Sequence, residues 1–279
     1  MSSTRKRSLS SVLAFAILSA SCLFRPSSSA HADRLTMEIQ AALVVREKTI
    51  EGTIAVVNRG DEPALKVHAE IAFPGGTMAK ELVELLGVRQ TASFSFKNSL
   101  GKMKEGTYAL PITVVFHDSR LYPFSALACP TFTLGKAVSP GLSCSTALLE
   151  SGGEIRFEFK NLESFSKRIK STFLYPREFY CPRPQTSLHI EPSETKAVSF
   201  TLLHSSAIPG SRYPVYSVIE FENETHHSSL VCTGEIRFME KGNWFKRTRW
   251  YWLVGWLVLM ALTIPLKRKT GHSFSEEMD

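Results

Sequence analysis

The chain has 279 residues, 43% of them hydrophobic, and its 33 basic and 26 acidic residues give a net charge of +7. Such a charge would suit a nucleic-acid or polyanion partner, but the excess lies at the two ends. Eleven basic and three acidic residues belong to the first 32 positions, to the flanks of an apolar segment near the end and to the tail. Residues 33–240 keep 22 basic and 23 acidic residues, so we predict no nucleic-acid partner.

The first 32 residues have the three parts of a secretory signal. A basic start at residues 5–7 precedes an apolar run at 12–24, and Ala30-His31-Ala32 is a small-x-small cleavage pattern. We predict that residues 1–32 are a signal peptide and that the mature chain begins near Asp33. The alternatives are a lipoprotein signal that ends at Cys22, with the lipid on that cysteine, and an uncleaved anchor.

Residues 33–240 consist of short strands in which apolar and polar residues alternate, bounded by Gly, Pro and Asn, without a useful helical stripe. The same segments recur in the same order about 102 to 106 residues later, a period typical of a domain. We therefore predict an all-β fold with one domain at 33–137 and a second at 138–241. The matched landmarks are Asn58 and Asn161, Pro74 and Pro176, Tyr108 and Tyr213, and Cys129 and Cys232.

One segment departs from this period. Residues 78–86 could form a short amphipathic helix between two sheets, whereas the equivalent residues 187–191 have the pattern of a strand. We predict a strand or an irregular edge in both repeats.

Each repeat has about 100 residues, some seven short strands and a tyrosine after a glycine turn, which suits an immunoglobulin-like β-sandwich. The run VVNRGDEPA at 56–64, the strand at 65–74 and Gly106-Thr107-Tyr108 resemble bacterial and archaeal Ig-like modules of the CARDB and NEW3 type. The resemblance implies two tandem Ig-like sandwiches in a surface or periplasmic setting before a membrane anchor. It carries over no catalytic residue, and the second repeat departs from the pattern at 161–164, where the Gly-Asp turn is missing.

Four cysteines follow the signal, namely Cys129, Cys144, Cys181 and Cys232, an even number in a compartment that permits disulfides. Three pairings are possible, and one or two disulfides or buried free thiols remain open. Cys144 and Cys232 fall on the first and last strands of one predicted sandwich, so this bridge is our first prediction. No C-x-x-C or Cys/His cluster has metal-ligand spacing, and we predict no metal.

The adjacent histidines His226 and His227, with Glu222 and Glu224 nearby, could be imagined as a metal site. We predict instead a polar hairpin tip, because the first repeat has no such ligand set at the equivalent place. No Gly-x-Ser-x-Gly elbow, Gly-rich phosphate loop or His-Glu-x-x-His is present, which favours a protein that is not an enzyme and has no cofactor. Asn223 begins a glycosylation sequon, which matters only in a eukaryotic source.

A loop around Cys181 is rich in aromatic residues and proline. Phe179, Tyr180 and Arg183 in this loop form a candidate contact patch, because aromatic and arginine side chains dominate binding surfaces. Alternatively, a disulfide at Cys181 pins the loop to its own sandwich.

Residues 250–266 contain no charged side chain and as a helix would be about 26 Å long, the short end of what a bilayer core requires. We predict a basic juxtamembrane linker at 242–249, a transmembrane helix at 250–266 and a cytoplasmic tail at 267–279. With a cleaved signal, the protein is a single-pass type I membrane protein whose domains are periplasmic or otherwise extracytoplasmic. Aromatic rings and a basic stop-transfer cluster mark the membrane interface: Trp250, Tyr251, Trp252, Lys267, Arg268 and Lys269.

These features predict a non-catalytic interaction or scaffold module of the cell envelope, with an envelope protein as partner in a membrane-associated complex. The alternative is a carbohydrate-binding or adhesion module at the cell surface. No tryptophan lies between residues 33 and 240, and sugar-binding sandwiches generally expose Trp or Tyr platforms. The composition therefore favours a protein partner.

Overall fold

The computed structural model describes residues 36–101, 103–147, 149–150, 153–204, 206–208, 211–222, 225–237, 251 and 254–256. Regular structure in this part of the chain is almost entirely β, as the sequence predicted, with helix only at Tyr251 and residues 254–256. The nineteen described strands form four sheets, two packed face to face in each half of the chain, and β7 and β10 of the first half join a sheet of the second.

In the first half, a sheet with the order β1-β2-β6 faces a sheet with the order β4-β3-β8-β9, and β5 also pairs with β3. Their inward side chains form one hydrophobic core, to which Ile54, Ile71 and Val114 contribute fully buried side chains. The strands are β1 Met37–Arg46, β2 Thr49–Asn58, β3 Ala64–Phe73, β4 Gly76–Ala79, β5 Val83–Leu86, β6 Thr91–Ser99, β7 Glu105–Ala109, β8 Ile112–His117, β9 Pro123–Ala128 and β10 Thr131–Leu134.

In the second half, the sheet β11-β13-β17-β15 faces the run β19-β18-β14-β16, an order that matches an immunoglobulin-like sandwich. A second core contains Phe157, Phe173 and Phe200, whose rings contact one another. The strands are β11 Leu142–Thr146, β12 Leu149–Glu150, β13 Gly153–Asn161, β14 Lys167–Leu174, β15 Phe179–Tyr180, β16 Gln185–Ile190, β17 Thr195–His204, β18 Arg212–Glu222 and β19 His226–Arg237.

The two halves share a sheet, which the sequence repeat did not predict. β7 of the first half runs parallel to β19 of the second, with His226, His227 and Ser228 opposite Glu105, Gly106 and Thr107. The resulting order β10-β7-β19-β18-β14-β16 crosses from one half to the other.

The two halves of the chain repeat the same hydrogen-bond arrangement, made by an asparagine at the end of β2 in the first half and of β13 in the second. Asn58 is fully buried, and its amide nitrogen donates to the carbonyl oxygens of Glu62 and Leu86 at 2.9 and 3.1 Å. Asn161 is equally buried and donates to the carbonyl oxygens of Phe165 and Ile190 at 2.7 and 3.4 Å. Each asparagine therefore ties a strand end to the following loop and to a neighbouring strand.

We expect Asn58→Ala and Asn161→Ala each to lower the free energy of unfolding by about 2 kcal/mol, because the carbonyl groups that they satisfy would be left buried and unpaired. Chemical denaturation of the purified chain measures the change. Asn98→Ala, at a partly exposed position on β6, is the control and should change stability by less than about 0.5 kcal/mol. Equal effects of all three substitutions would contradict this role.

The segment that departed from the sequence period is a strand edge in both repeats, as predicted. β4 and β5 lie along β3 in the first half, and β16 lies along β14 in the second. Between β4 and β5, the Lys80 amide donates to the Ala69 carbonyl at 2.8 Å, so the interrupted edge stays attached to β3.

Candidate interaction surface

One row of side chains crosses the outer face of the sheet β5-β3-β8-β9. Register places Leu85 opposite Leu65, Leu65 opposite His117, and His117 opposite Pro123. Because side chains alternate between the two faces of a strand, these four point away from the core, into which their neighbours Leu86, Ala64, Phe116 and Phe124 are buried. We call these four residues the open row.

The open row is partly exposed, and three of its four residues are apolar. The side chain of Leu85 is 58% exposed, and Pro123 is also exposed. Within the described residues, His117 Nδ1 is the one buried side-chain nitrogen or oxygen without a hydrogen-bond partner. Buried polar atoms are nearly always hydrogen-bonded in native proteins. The open row therefore contains one ring nitrogen whose hydrogen-bonding capacity is unused.

The hairpin between β8 and β9 extends this surface with a well-defined turn. The Asp118 carboxylate accepts hydrogen bonds from the amides of Arg120 and Tyr122 at 2.9 and 2.8 Å. Leu121 has a positive φ of 65°, and its side chain and that of Tyr122 are 56% and 60% exposed. The turn therefore presents two large side chains to solvent.

The next row of the same face is covered by the second half of the chain. His68, Val115 and Ser125 lie opposite one another on β3, β8 and β9, and the last two are buried. Glu178, 2% exposed, accepts hydrogen bonds from the Ser125 amide at 3.0 Å and from its hydroxyl at 2.9 Å. The Arg177 amide donates to Ser125 Oγ at 2.7 Å.

An ion pair extends this junction, since the Arg177 guanidinium lies 2.7 Å from Glu70 Oε2. A cavity of about 260 Å³, lined by residues such as Phe124, Glu178 and Tyr213, lies between the two halves. Its volume is below the range of about 300–1,000 Å³ for small-molecule sites. We therefore interpret the junction as a structural contact, or joint, between the two halves and not as a small-molecule site.

Burial raises the pKa of Glu178, although hydrogen bonds from Ser125 and the charge of Arg177 act in the opposite direction. Burial likewise raises the pKa of Tyr213 to about 12, and its hydroxyl accepts a hydrogen bond from the Ile208 amide at 2.8 Å. A raised carboxyl pKa means that the environment of Glu178 in the folded chain favours its protonated form over its charged form.

The stabilising contribution of protonated Glu178 should be present below the ordinary pKa of 4.5 and should be lost as the pH rises through the raised pKa in the folded protein. We expect the wild-type chain to lose stability relative to Glu178→Gln between pH 4.5 and neutral pH, measured by urea unfolding at each pH. Glu154→Gln, at an exposed position, is the control for the change of a carboxylate to an amide. A Glu178→Gln difference that does not vary with pH would contradict the prediction.

A second joint forms where β7 meets β19. The His227 ring stacks on Tyr108, with ring centroids 4.1 Å apart and an interplanar angle of 5°, and Lys104 pairs with Glu222 at 2.7 Å. Burial lowers the pKa of His227, against the opposing charges of Glu220 and Glu222. His227 therefore acts as a packing residue between the halves, and no group of three metal-ligating side chains occurs in the described part of the chain.

The cysteine prediction is confirmed for one pair. Cys144 on β11 and Cys232 on β19 form a disulfide, with Cα atoms 6.0 Å apart. Cys129 and Cys181 are free, and burial raises the pKa of the Cys129 thiol to about 12. No disulfide therefore fixes the loop around Cys181.

The candidate contact loop is only partly exposed. The prediction that Phe179 lies on the surface is wrong: its side chain is 4% exposed, and its ring contacts that of Tyr213 with centroids 5.0 Å apart. Phe179 and Tyr180 form the short strand β15, in which alternation turns the first residue inward and the second outward. Tyr180 and Arg183 are exposed, so these two residues keep the predicted accessibility.

The membrane predictions fall mostly on residues that the structure does not describe. Residues 1–32 with Cys22, the sequon at Asn223, and Trp250, Trp252, Lys267, Arg268 and Lys269 lie outside the described residues. Tyr251 is helical and exposed. Among the described residues, no helix has the length and apolar character needed to cross a bilayer.

The open row and Glu178 were not predicted as functional from the sequence. The register that aligns Leu85, Leu65, His117 and Pro123 includes a shift between Leu65 and His68, which the alternation of residues alone does not predict. A hydrophobic pair at the tip of a hairpin, Leu121 and Tyr122, is the one signal in the sequence that could have indicated this surface.

No protein-family model and no curated protein matches the sequence. Similar solved structures include red sea bream transglutaminase, with 8% identity and a TM-score of 0.26 over 72% of this chain and 32% of that chain. Escherichia coli alpha-2-macroglobulin has 8% identity and a TM-score of 0.29 over 73% and 17%. A Porphyromonas gingivalis W83 protein of unknown function has 9% identity and a TM-score of 0.26 over 71% and 99%.

This chain spans 32% of the transglutaminase chain and 17% of the macroglobulin chain. With TM-scores this low, these similarities assign neither function nor partner. The all-β sandwich architecture follows from the strand order of the chain itself.

Proposed function

We propose that this chain is a non-catalytic interaction module of the cell envelope, in which two joined sandwiches present the open row to a protein partner. The proposal rests on one observation: the outer face of the sheet β5-β3-β8-β9 is partly covered by the second half of the chain and partly left open. The second half of the chain covers Ser125, while Leu85 and Pro123 of the adjacent open row and the hairpin side chains Leu121 and Tyr122 are exposed.

The two joints support a scaffold role. Glu178 and Arg177 hold the second half on the sheet of the first through Ser125 and Glu70, and β7 and β19 hold it through backbone pairing. A surface on a rigid support loses less conformational entropy on binding than one on a flexible support. The arrangement therefore suits a protein that positions a partner.

In this proposal, the signal at 1–32 and the apolar segment at 250–266 make the chain a single-pass type I protein with its sandwiches outside the cytoplasm. The uncharged run and its basic and aromatic flanks support the anchor. The partner is then another component of the same envelope, in a membrane-associated complex, and the chain does not catalyse a reaction.

A crosslinking pull-down from native membranes tests this function, with the full chain tagged at Asp279 and a version truncated before Trp250 as the control. We expect one defined complex that contains an envelope protein, recovered only with the anchored chain. Recovery of glycan or of nothing from both forms would contradict the proposal. Turnover of an envelope substrate by the exported region, abolished by a point mutation, would contradict its non-catalytic character.

A further inference from the structure

The open row ends at a free strand edge. β5 pairs with β3 through Val83, Leu85 and Leu86, and no described strand pairs with the opposite edge of β5. An edge strand presents backbone N–H and C=O groups that can pair with a further strand. The side chains of Leu82 and Leu85 beside this edge are 48% and 58% exposed.

The same edge carries two exposed carboxylates, beside the exposed Lys66 of β3. Glu81 and Glu84 are exposed, and neither belongs to an ion pair between described residues. Antiparallel pairing of β5 with β5 of a second copy would bring like carboxylates together, which is unfavourable when they lie opposite each other. The charge therefore argues against a second copy and for a partner with basic side chains.

The longest edge strand described, β1, lacks this combination. β1 is an edge strand, and the one carboxylate among its outward side chains, Glu38, is already paired with Arg59 at 2.6 Å. Exposed leucines and exposed carboxylates therefore occur together at β5.

We propose that β5 is a docking edge for an extended segment of a partner protein in which apolar side chains alternate with lysine or arginine. The inference rests on the proposed interaction function and specifies its partner. Main-chain hydrogen bonds to β5 supply affinity, and the side chains on alternate positions supply specificity.

The added strand would lengthen the open row by one position. Its apolar side chains would lie beside Leu85, on the face that already carries Leu65, His117 and Pro123. Its basic side chains would point to the side of the sheet that faces the core, at the border of the sandwich, where Glu84 is exposed.

Hydrogen exchange of the full chain in phosphatidylcholine nanodiscs tests the docking edge. The probes are two synthetic seven-residue peptides, one of alternating leucine and lysine and one of alternating leucine and glutamate. We expect the lysine peptide to slow exchange of the amides in Val83–Leu86 about tenfold, and the glutamate peptide to leave them unchanged. Equal protection by both peptides, no protection, or protection of β1 instead of β5 would overturn the proposal.

Three variants sharpen this test. Leu85→Glu should remove the protection, and Glu84→Lys should transfer it from the lysine peptide to the glutamate peptide. Leu203→Glu is the matched control, since Leu203 is 53% exposed on β17. In this variant the lysine peptide should protect the amides of Val83–Leu86 as much as in the wild type. An effect of Leu203→Glu as large as that of Leu85→Glu would show unspecific peptide adsorption and overturn the docking edge.

The same variants separate this inference from the function on which it rests. If the wild-type chain recovers its complex and Leu85→Glu recovers it equally well, β5 is not the docking edge, although the interaction function stands. If the wild-type chain recovers no complex, the proposed function itself fails, whatever the peptides do.

Discussion

Replacing Cys144 by alanine is expected to lower the free energy of unfolding by about 4–5 kcal/mol. The disulfide to Cys232 spans 88 residues, and a crosslink that closes a loop of this length removes a correspondingly large entropy from the unfolded chain. Cys144 is the better position to change, because it is partly exposed whereas Cys232 is 3% exposed in the core. The substitution therefore removes the crosslink with little effect on packing.

Guanidinium unfolding of the full chain, with and without a reducing agent, measures the effect. In reducing buffer the wild type and Cys144→Ala should have nearly the same stability, because neither then has the crosslink. Cys129→Ala is the control: Cys129 is free, so the gap between oxidised and reduced stability should persist. A wild-type stability that does not change on reduction would contradict the prediction.

The disulfide could be predicted because it depends on strand position alone. The alternation of residues located the strands, and the first and last strands of such a sandwich are neighbours. Cys144 and Cys232 fall on β11 and β19, which face each other across the second half. The repeated asparagines Asn58 and Asn161 were visible in the sequence for the same reason, since each ends an equivalent strand.

The contacts between the halves could not be predicted in this way. Glu178 lies in a short segment without periodicity, and only the folded chain shows that Ser125, 53 residues earlier, supplies its hydrogen bonds. The pairing of β7 with β19 joins segments about 120 residues apart, which no local pattern encodes. The error at Phe179 has another cause: a strand of only two residues is too short for its alternation to be recognised.

The joint between β7 and β19 depends on a glycine, and Gly106→Ala is expected to break it. Gly106 has a φ of +139°, and a Cβ atom placed there would lie 1.8 Å from the backbone oxygen of His227. A backbone atom in a paired strand cannot move aside as a flexible side chain can. Strain at such a φ alone costs on the order of 1–3 kcal/mol, so with the collision we expect a loss of about 3 kcal/mol or more.

Hydrogen exchange at His226–Ser228, together with chemical denaturation, measures the result. The amides of this segment should lose protection, because the parallel pairing with Glu105–Thr107 would open, and the stacking of Tyr108 on His227 would be lost with it. Gly75→Ala is the matched control, since Gly75 has a φ of +110° but open space around its Cβ position. That variant carries the strain without the collision and should leave His226–Ser228 protected.

If Gly106→Ala costs no more than Gly75→Ala, the two halves are not held by backbone pairing at this point. Glu178, Arg177 and their partners would then be the main joint, and the support beneath the open row would be a hinge. If the larger effect is found, the pairing of β7 with β19 holds the two halves together beneath the open row. An extended partner docked at β5 would then have a fixed position relative to β19, the strand that leads to the predicted membrane anchor.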